Sequence, residues 1–292
     1  MDKTITRKAY AKINLGLDVV RRLPNGYHEV RMIMQNVGIY DVLIFEKAEA
    51  GITLQVDHQE LPADGSNLIW KAAKLLLDTA GIQGGVRITL EKHIPIAAGM
   101  AGGSTDAAAA FLGINELYEI GYDIEQLKAL GVKIGADVPY CIQGGTALAE
   151  GIGEILSELP APPACYLVIA KPDINVSTKF VYENLRANEL TYHPDIDGMI
   201  DAIKNNDLHR LADKMGNVLA TVTESEYPIV TDIKEKMVTM GALNAMMSGS
   251  GPTVFGLFDD KAKAKEAYNY FKSSDLGRQV YLTDGGNGDE RY

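Results

Sequence analysis

The sequence predicts an α+β protein of two domains, and three observations carry that prediction. Extended segments rich in β-formers crowd the first 46 residues, amphipathic helices follow them, and a proline cluster, Leu159-Pro-Ala-Pro-Pro163, divides the chain ahead of a second run of helices and strands. A chain of 292 residues, 46% hydrophobic and 23% charged, suits one large or two medium globular domains.

In chain order, Thr4 to Tyr10, Asn14 to Arg22 and Val37 to Glu46 read as strands, and Asn25-Gly26 marks a turn between the second and third. Leu68, Ile69, Ala72, Leu75 and Leu76 recur at helical spacing, so a helix is expected over Ser66 to Ala80, with Asp64 or Ser66 as N-cap and Gly81 as its stop. Val86 to Lys92 turns Val86, Ile88 and Leu90 inward as a half-buried strand. It runs into a glycine-rich segment and then a helix whose apolar face is Ala107, Ala110, Phe111, Ile114, Leu117 and Tyr118.

The proline cluster cannot sustain a helix or a central strand, so the expected domains are 1–159 and 164–283. The second opens with a strand at Cys165 to Ala170. Helices are expected near Thr178 to Arg186, Asp195 to Asn205, Leu208 to Ala220 and Pro228 to Met240, then strands at Ala242 to Met247 and Thr253 to Phe258. A helix at Lys261 to Ser274 and a strand at Gln279 to Thr283 complete the layer, and 284–292 reads as a loose polar tail. No internal repeat is visible.

Composition excludes some functions. A formal net charge of -11 leaves no basic surface on the scale that a nucleic-acid backbone requires, so no nucleic-acid partner is expected, and any anionic ligand must be met by a few local lysines and backbone N–H groups. The amino terminus has charges spread through it and no apolar core of signal-peptide length, and no run approaches the roughly 20 apolar residues of a membrane span. A cytoplasmic protein with no membrane partner is expected. Cys141 and Cys165 form no CxxC and have no histidine at metal-ligand spacing; they read as small buried hydrophobes, with Cys141 open to a place near the site.

The segment Pro95, Ile96, Ala97, Ala98, Gly99, Met100, Ala101, Gly102, Gly103, Ser104, Thr105 carries the chemistry. Its glycines let a ligand approach the backbone, and the free N–H groups and dipole of the following helix make an anion site suited to a phosphate. It is not a Walker A loop, because Gly103 stands before Ser104 where that pattern needs lysine, and it does not fit GxGxxG. On glycine content alone, a plain turn with a helix cap is an equal reading.

The loop occurs together with an early Ala11-Lys-Ile-Asn-Leu-Gly16 and a late Met247-Ser-Gly-Ser-Gly-Pro252, and in that order the three motifs resemble the GHMP kinase family of small-molecule kinases. The resemblance spans Lys8 to about Phe258. It implies an amino-terminal domain like the second domain of ribosomal protein S5 and a ferredoxin-like carboxy-terminal domain. Asn25-Gly-Tyr-His-Glu29 and Gly135-Ala-Asp-Val-Pro-Tyr-Cys141 look like the branch that phosphorylates the 2-hydroxyl of a cytidine diphosphate-linked methylerythritol, in the non-mevalonate route to isoprenoid precursors. Ala97 and Ala98, where many relatives carry glycine, and Thr105, where a second serine is frequent, depart from the pattern and bear only on loop flexibility.

Phosphoryl transfer to an alcohol needs phosphates held in line, their charge neutralised and a hydroxyl proton removed. By the resemblance Asp137 is the base, although its local sequence alone favours a helix N-cap. Lys12 and Asn14 share one face of an extended segment; a lysine there would stabilise charge on the transferring group, whereas the bland alternative is a solvated lysine on an edge strand. Tyr27 and His28 follow a turn, where a ring and an imidazole suit a cytosine, with Asn14 as a further polar contact. Tyr182 reads by position as a second stacking ring and Thr178 as a contact to the diphosphate. Asn67 is open between an adenine-side contact and a helix cap, and Lys92 is placed to assist ATP. Magnesium is implied because bridging phosphate oxygens neutralises charge that no arginine cluster here could, with Ser104 or Asp137 touching it directly or through water. The resemblance leaves open a monomer or homodimer. Another acceptor on the same ATP loop, or a silent nucleotide binder, remain the competing readings.

Overall fold

The structure, a computed structural model, describes residues 3–285. β1 (Thr4–Arg22) and β2 (His28–Ala48) form one long antiparallel hairpin, turned at Asn25-Gly26 where Gly26 takes a left-handed φ of 88°. The expected gap between Tyr10 and Asn14 does not exist. Bulges between Tyr10 and Lys12, Asn14 and Gly16, and Val19 and Arg21 absorb the irregularities, so Lys12 and Asn14 stand inside a continuous strand.

β3 (Ile52–Val56) pairs parallel to β4 (Gly85–Glu91), with α1 (Leu68–Ala80) as the crossover that a parallel pair requires. Asn67, and neither Asp64 nor Ser66, is the N-cap: its side-chain oxygen accepts from the Ile69 N–H. Next come α2 (Gly102–Leu117), α3 (Ile124–Gly131), α4 (Val138–Gln143), β5 (Thr146–Glu150) and β6 (Ile155–Leu159). The first sheet is ordered β3-β4-β2-β5-β6, with β1 also on β2. β3, α3, β5 and β6 were not anticipated; β5 reads Thr-Ala-Leu-Ala-Glu, poor in β-formers, and owes its state to pairing on both sides.

The remaining chain builds β7 (Tyr166–Lys171), α5 (Thr178–Asn184), α6 (Ile196–Lys204), α7 (Leu208–Lys214), α8 (Ala220–Glu226), α9 (Ile229–Thr239), β8 (Asn244–Met247), β9 (Val254–Phe258), α10 (Lys261–Ser273) and β10 (Gln279–Asp284). Its antiparallel sheet is ordered β10-β7-β9-β8, the ferredoxin-like arrangement. Asp284, expected in the tail, closes β10, and the tail positions 286–292 lie outside the described residues. The expected helix Leu208 to Ala220 is broken after Lys214, because Leu17 of β1 claims the chain there: its N–H donates to the Gly216 carbonyl (2.9 Å) and its carbonyl accepts the Val218 N–H (3.0 Å).

Residues 11–19 of β1 are buried on both faces. Ala9, Leu17 and Val19 join the core under α1 and α2, while Ala11, Ile13 and Leu15 pack in a second core with Ile169, Met199 and Phe255. One strand therefore belongs to both cores and fixes one sheet against the other.

Candidate active site

Two glycine loops, one from each half, meet backbone to backbone. Gly99 has φ +71°, and a Cβ there would lie 2.2 Å from the Ser248 carbonyl oxygen, so only glycine fits. The Ser248 hydroxyl donates to the Gly99 carbonyl (3.0 Å). Asn217, in the segment that Leu17 pulls out of helix, donates its amide to the carbonyls of Met247 and Gly249, both at 2.8 Å, and so holds the second loop. Sequence reading missed Asn217, because nothing local marks it. Ala97 (φ 49°) and Ala101 (φ 57°) also take left-handed backbone, whereas Ala98 does not.

The first loop is launched by Asp41. Its buried carboxylate accepts the N–H groups of His93 (2.5 Å) and Ile94 (2.8 Å), which ends the β2–β4 ladder and turns the chain outward. Lys92 lies buried between Asp41 and Asp106, 2.9 Å from the latter. Burial by itself would lower the Lys92 pKa; the two carboxylates outweigh it and raise it, while burial pushes the Asp106 carboxyl up. The Lys92 ammonium is thus committed to protein carboxylates at the cavity wall.

At the far end of the loop, the first intrahelical bond is Thr105 N–H to the Ala101 carbonyl (2.9 Å). The N–H groups of Gly102, Gly103 and Ser104 precede it and stand at the cavity, a ready anion cradle of the helix-start kind. Two loop residues point elsewhere. Met100 is in the core, with its carbonyl accepting the Lys12 N–H, and the buried Thr105 donates its hydroxyl to the Tyr10 carbonyl (2.7 Å).

Lys12 and Asn14 share a face as expected, and the Lys12 ammonium donates to Asn14 Oδ1 at 2.8 Å. Lys12 is no solvated edge residue: its side chain is 6% exposed, 3.7 Å from Asp137 Oδ2. Asp137 occupies the N-cap position of α4, yet its side chain makes no capping bond and is 31% exposed at the cavity. Cys141, one turn on, is buried, and desolvation first, then the Asp137 charge, raises its thiol well beyond the usual range, so it is inert.

A cavity of about 760 Å³ collects these groups. Pro95 to Gly99 and Ala101 to Ser104 line it with Lys12, Asp137, Asn67, Thr178 and Tyr182, and Tyr27 and His28 sit on the same wall. Tyr27 is 58% exposed, whereas His28 is buried, its ring 5.2 Å from that of Tyr182 and tilted by 39°. Burial, then the Arg22 charge, lowers the His28 pKa and keeps the imidazole neutral, and its Nε2 has no hydrogen-bond partner. The Thr178 and Ser250 hydroxyls are bonded at 2.8 Å, which brings the late glycine loop into the wall. Asn67 also donates to the Pro62 carbonyl (2.8 Å), so capping and cavity lining coexist there. Among the described residues no group of three His, Cys, Asp or Glu side chains is placed to hold a metal.

A cleft between two α+β domains, with a helix-start cradle facing a buried lysine and a carboxylate, defines a phosphoryl-transfer enzyme. Residues 67–145 match the family model for the GHMP kinases N terminal domain and residues 199–275 that for the GHMP kinases C terminal. The chain belongs to the GHMP kinase family. It is 52% identical over 280 residues to a 4-diphosphocytidyl-2-C-methyl-D-erythritol kinase of Lachnoclostridium phytofermentans, covering 96% of each chain, and 51% identical to one of Lachnospira eligens, covering 97% of this chain and 98% of that one. A solved 4-(cytidine 5'-diphospho)-2C-methyl-D-erythritol kinase superposes with a TM-score of 0.83 at 33% identity, covering 97% of this chain and all of the other. Within the family this chain stands with those kinases.

Proposed function

We propose that this chain transfers the terminal phosphoryl group of ATP to the 2-hydroxyl of 4-diphosphocytidyl-2-C-methyl-D-erythritol, giving the 2-phosphate and ADP in the non-mevalonate route to isoprenoid precursors. The observation that carries the reading is the Lys12–Asp137 pair, facing the same cavity as the N–H cradle of Gly102 to Ser104 and the histidine of the Tyr27-His28 wall. In this reading the cradle takes the ATP phosphates and Asn67 lies on the adenine side. Asp137 accepts the acceptor's hydroxyl proton, and Lys12, 3.7 Å from it, offsets charge building on the transferring group.

The buried, unpartnered His28 Nε2 suits a polar edge of cytosine, Tyr27 and Tyr182 supply ring faces, and Thr178 stands where the polyol diphosphate would pass. Magnesium fits a donor set of this kind, because the ion asks for one or two protein oxygens and takes the rest from phosphates and water; Asp137 and Ser104 are the residues that would meet it, and bound there it would neutralise phosphate charge. No helix among the described residues is long and apolar enough to cross a membrane. The reading takes the cytoplasm as the site of action, and a monomer or homodimer as its form, since one chain supplies every residue named.

The test is ADP release with Mg-ATP and 4-diphosphocytidyl-2-C-methyl-D-erythritol, against homoserine, mevalonate and galactose. Selective turnover of the cytidyl acceptor is expected. Turnover of a control acceptor instead, or nucleotide binding with no ADP formed, would overturn the reading.

A further inference from the structure

The cavity has to hold two phosphate-bearing ligands in a protein of formal net charge -11, and its lining cations are few. Lys12 stands against Asp137. Lys92 is buried between two carboxylates. These two lysines bring no surplus positive charge.

Lys179 differs. It lies at the second position of α5, between the cavity-lining Thr178 and the turn that carries Tyr182, and it lines the cavity itself. Its side chain is 82% exposed, and its ion partner, Glu183, is 3.8 Å away and 59% exposed. A lysine four residues before a glutamate is the weaker order for a helical pair, and an exposed pair at that separation contributes little, so the ammonium can turn to a ligand at small cost. A flexible four-carbon stem carries that charge at the wall of a pocket whose hydroxyl, Thr178, is held by Ser250 and cannot neutralise an anion.

We infer that Lys179 is a binding determinant for the diphosphate bridge of the acceptor, a charge contact separate from the base contacts proposed above for His28 and the tyrosines. The inference rests on the proposed function and narrows it. The ATP end is served by backbone N–H groups, so Lys179 sets acceptor affinity and leaves nucleotide triphosphate affinity alone.

The experiment compares wild type, Lys179→Ala, Lys179→Arg and Lys179→Glu, reading the KM of ATP and of the cytidyl acceptor, with cytidine and CDP as competitors of the acceptor at saturating ATP. Lys179→Ala is expected to raise the acceptor KM about five- to tenfold, between an exposed ion pair and a charged hydrogen bond, with Lys179→Arg near wild type and Lys179→Glu worse than alanine. CDP inhibition should weaken in parallel while cytidine inhibition stays fixed, and raising salt should erode the difference between wild type and Lys179→Ala. An unchanged acceptor KM with cytidine still competing would overturn the inference and leave the proposed function standing; a rise in the KM of ATP alone would overturn it too. Failure of the wild type to use the acceptor, or of both cytidine and CDP to compete, would remove the proposed function and the inference together.

Discussion

Replacing Asp137 by asparagine keeps the side chain's size and removes its charge and basicity, and the structure separates the two consequences. For stability, Lys12 keeps its 2.8 Å bond to Asn14 and loses a carboxylate 3.7 Å away. A pair near 4 Å is worth about 1 kcal/mol in water and about 4 kcal/mol at an effective dielectric constant of about 20, and because Asp137 is 31% exposed the loss belongs in the lower part of that range, about 1–2 kcal/mol. No cap is lost, since Asp137 makes none. At roughly 2–4 °C per kcal/mol for a chain of this size, melting should fall by only a few degrees.

For catalysis, a positioned general base contributes about a hundred- to ten-thousandfold, so kcat in steady-state ADP release at 25 °C should fall by that factor, with the KM of both substrates within about twofold. Lys12→Met should cost a comparable factor, and the double variant little more than either single one, because the two act as a unit. A D137N protein that melts normally and keeps its kcat, or changes only in KM, would refute the assignment of Asp137 as base.

Four further outcomes follow from the same geometry. Tyr27→Ala should raise the acceptor KM about five- to a hundredfold, the range for one base–aromatic stack, with the KM of ATP unchanged in the same assay. His28 has a folded pKa below its usual 6.5, so the unfolded chain binds more protons just under that pH; the stability it contributes is full above pH 6.5 and is lost as pH falls through the folded value, and acceptor KM, measured across pH 5 to 8, should rise over that acid limb in wild type and not in His28→Asn. Gly99→Ala puts a Cβ 2.2 Å from the Ser248 carbonyl and should raise the KM of ATP while lowering stability in urea titration, whereas Ala97→Gly, which relieves a residue at φ 49°, should leave the KM near wild type and stability near or above it. Lys92→Met strands Asp41 and Asp106 in the core and should cost about 3–5 kcal/mol in the same titration.

Much of the fold was legible because its signals are local. Apolar spacing in α1 and α2, the turn at Asn25-Gly26 and the glycine run ahead of α2 each act within a few residues, and the ordered motifs sufficed for the family. Some of what escaped depends on partners far along the chain, although α3 opens on a local capping box of Asp123 and Gln126. β5 has weak intrinsic preference and is a strand because β2 and β6 flank it, and the helix after Leu208 stops because Leu17 takes the backbone of Gly216 and Val218 into hydrogen bonds.

The sequence by itself determined an α+β kinase fold, a glycine-rich loop between Pro95 and Thr105 that leads into a helix, and the paired face of Lys12 and Asn14, since strand alternation sets that face whatever the surroundings. Only the tertiary structure decided what each charge has beside it. Asp137 leaves its cap position unused and meets Lys12, while Lys92, three residues from the loop, is neutralised by Asp41 and Asp106, and Asn217 anchors a loop 30 residues away. The physical reason is range: helix and strand periodicity is written in neighbours, whereas the fate of a charge or a buried amide depends on groups that only folding brings within about 4 Å.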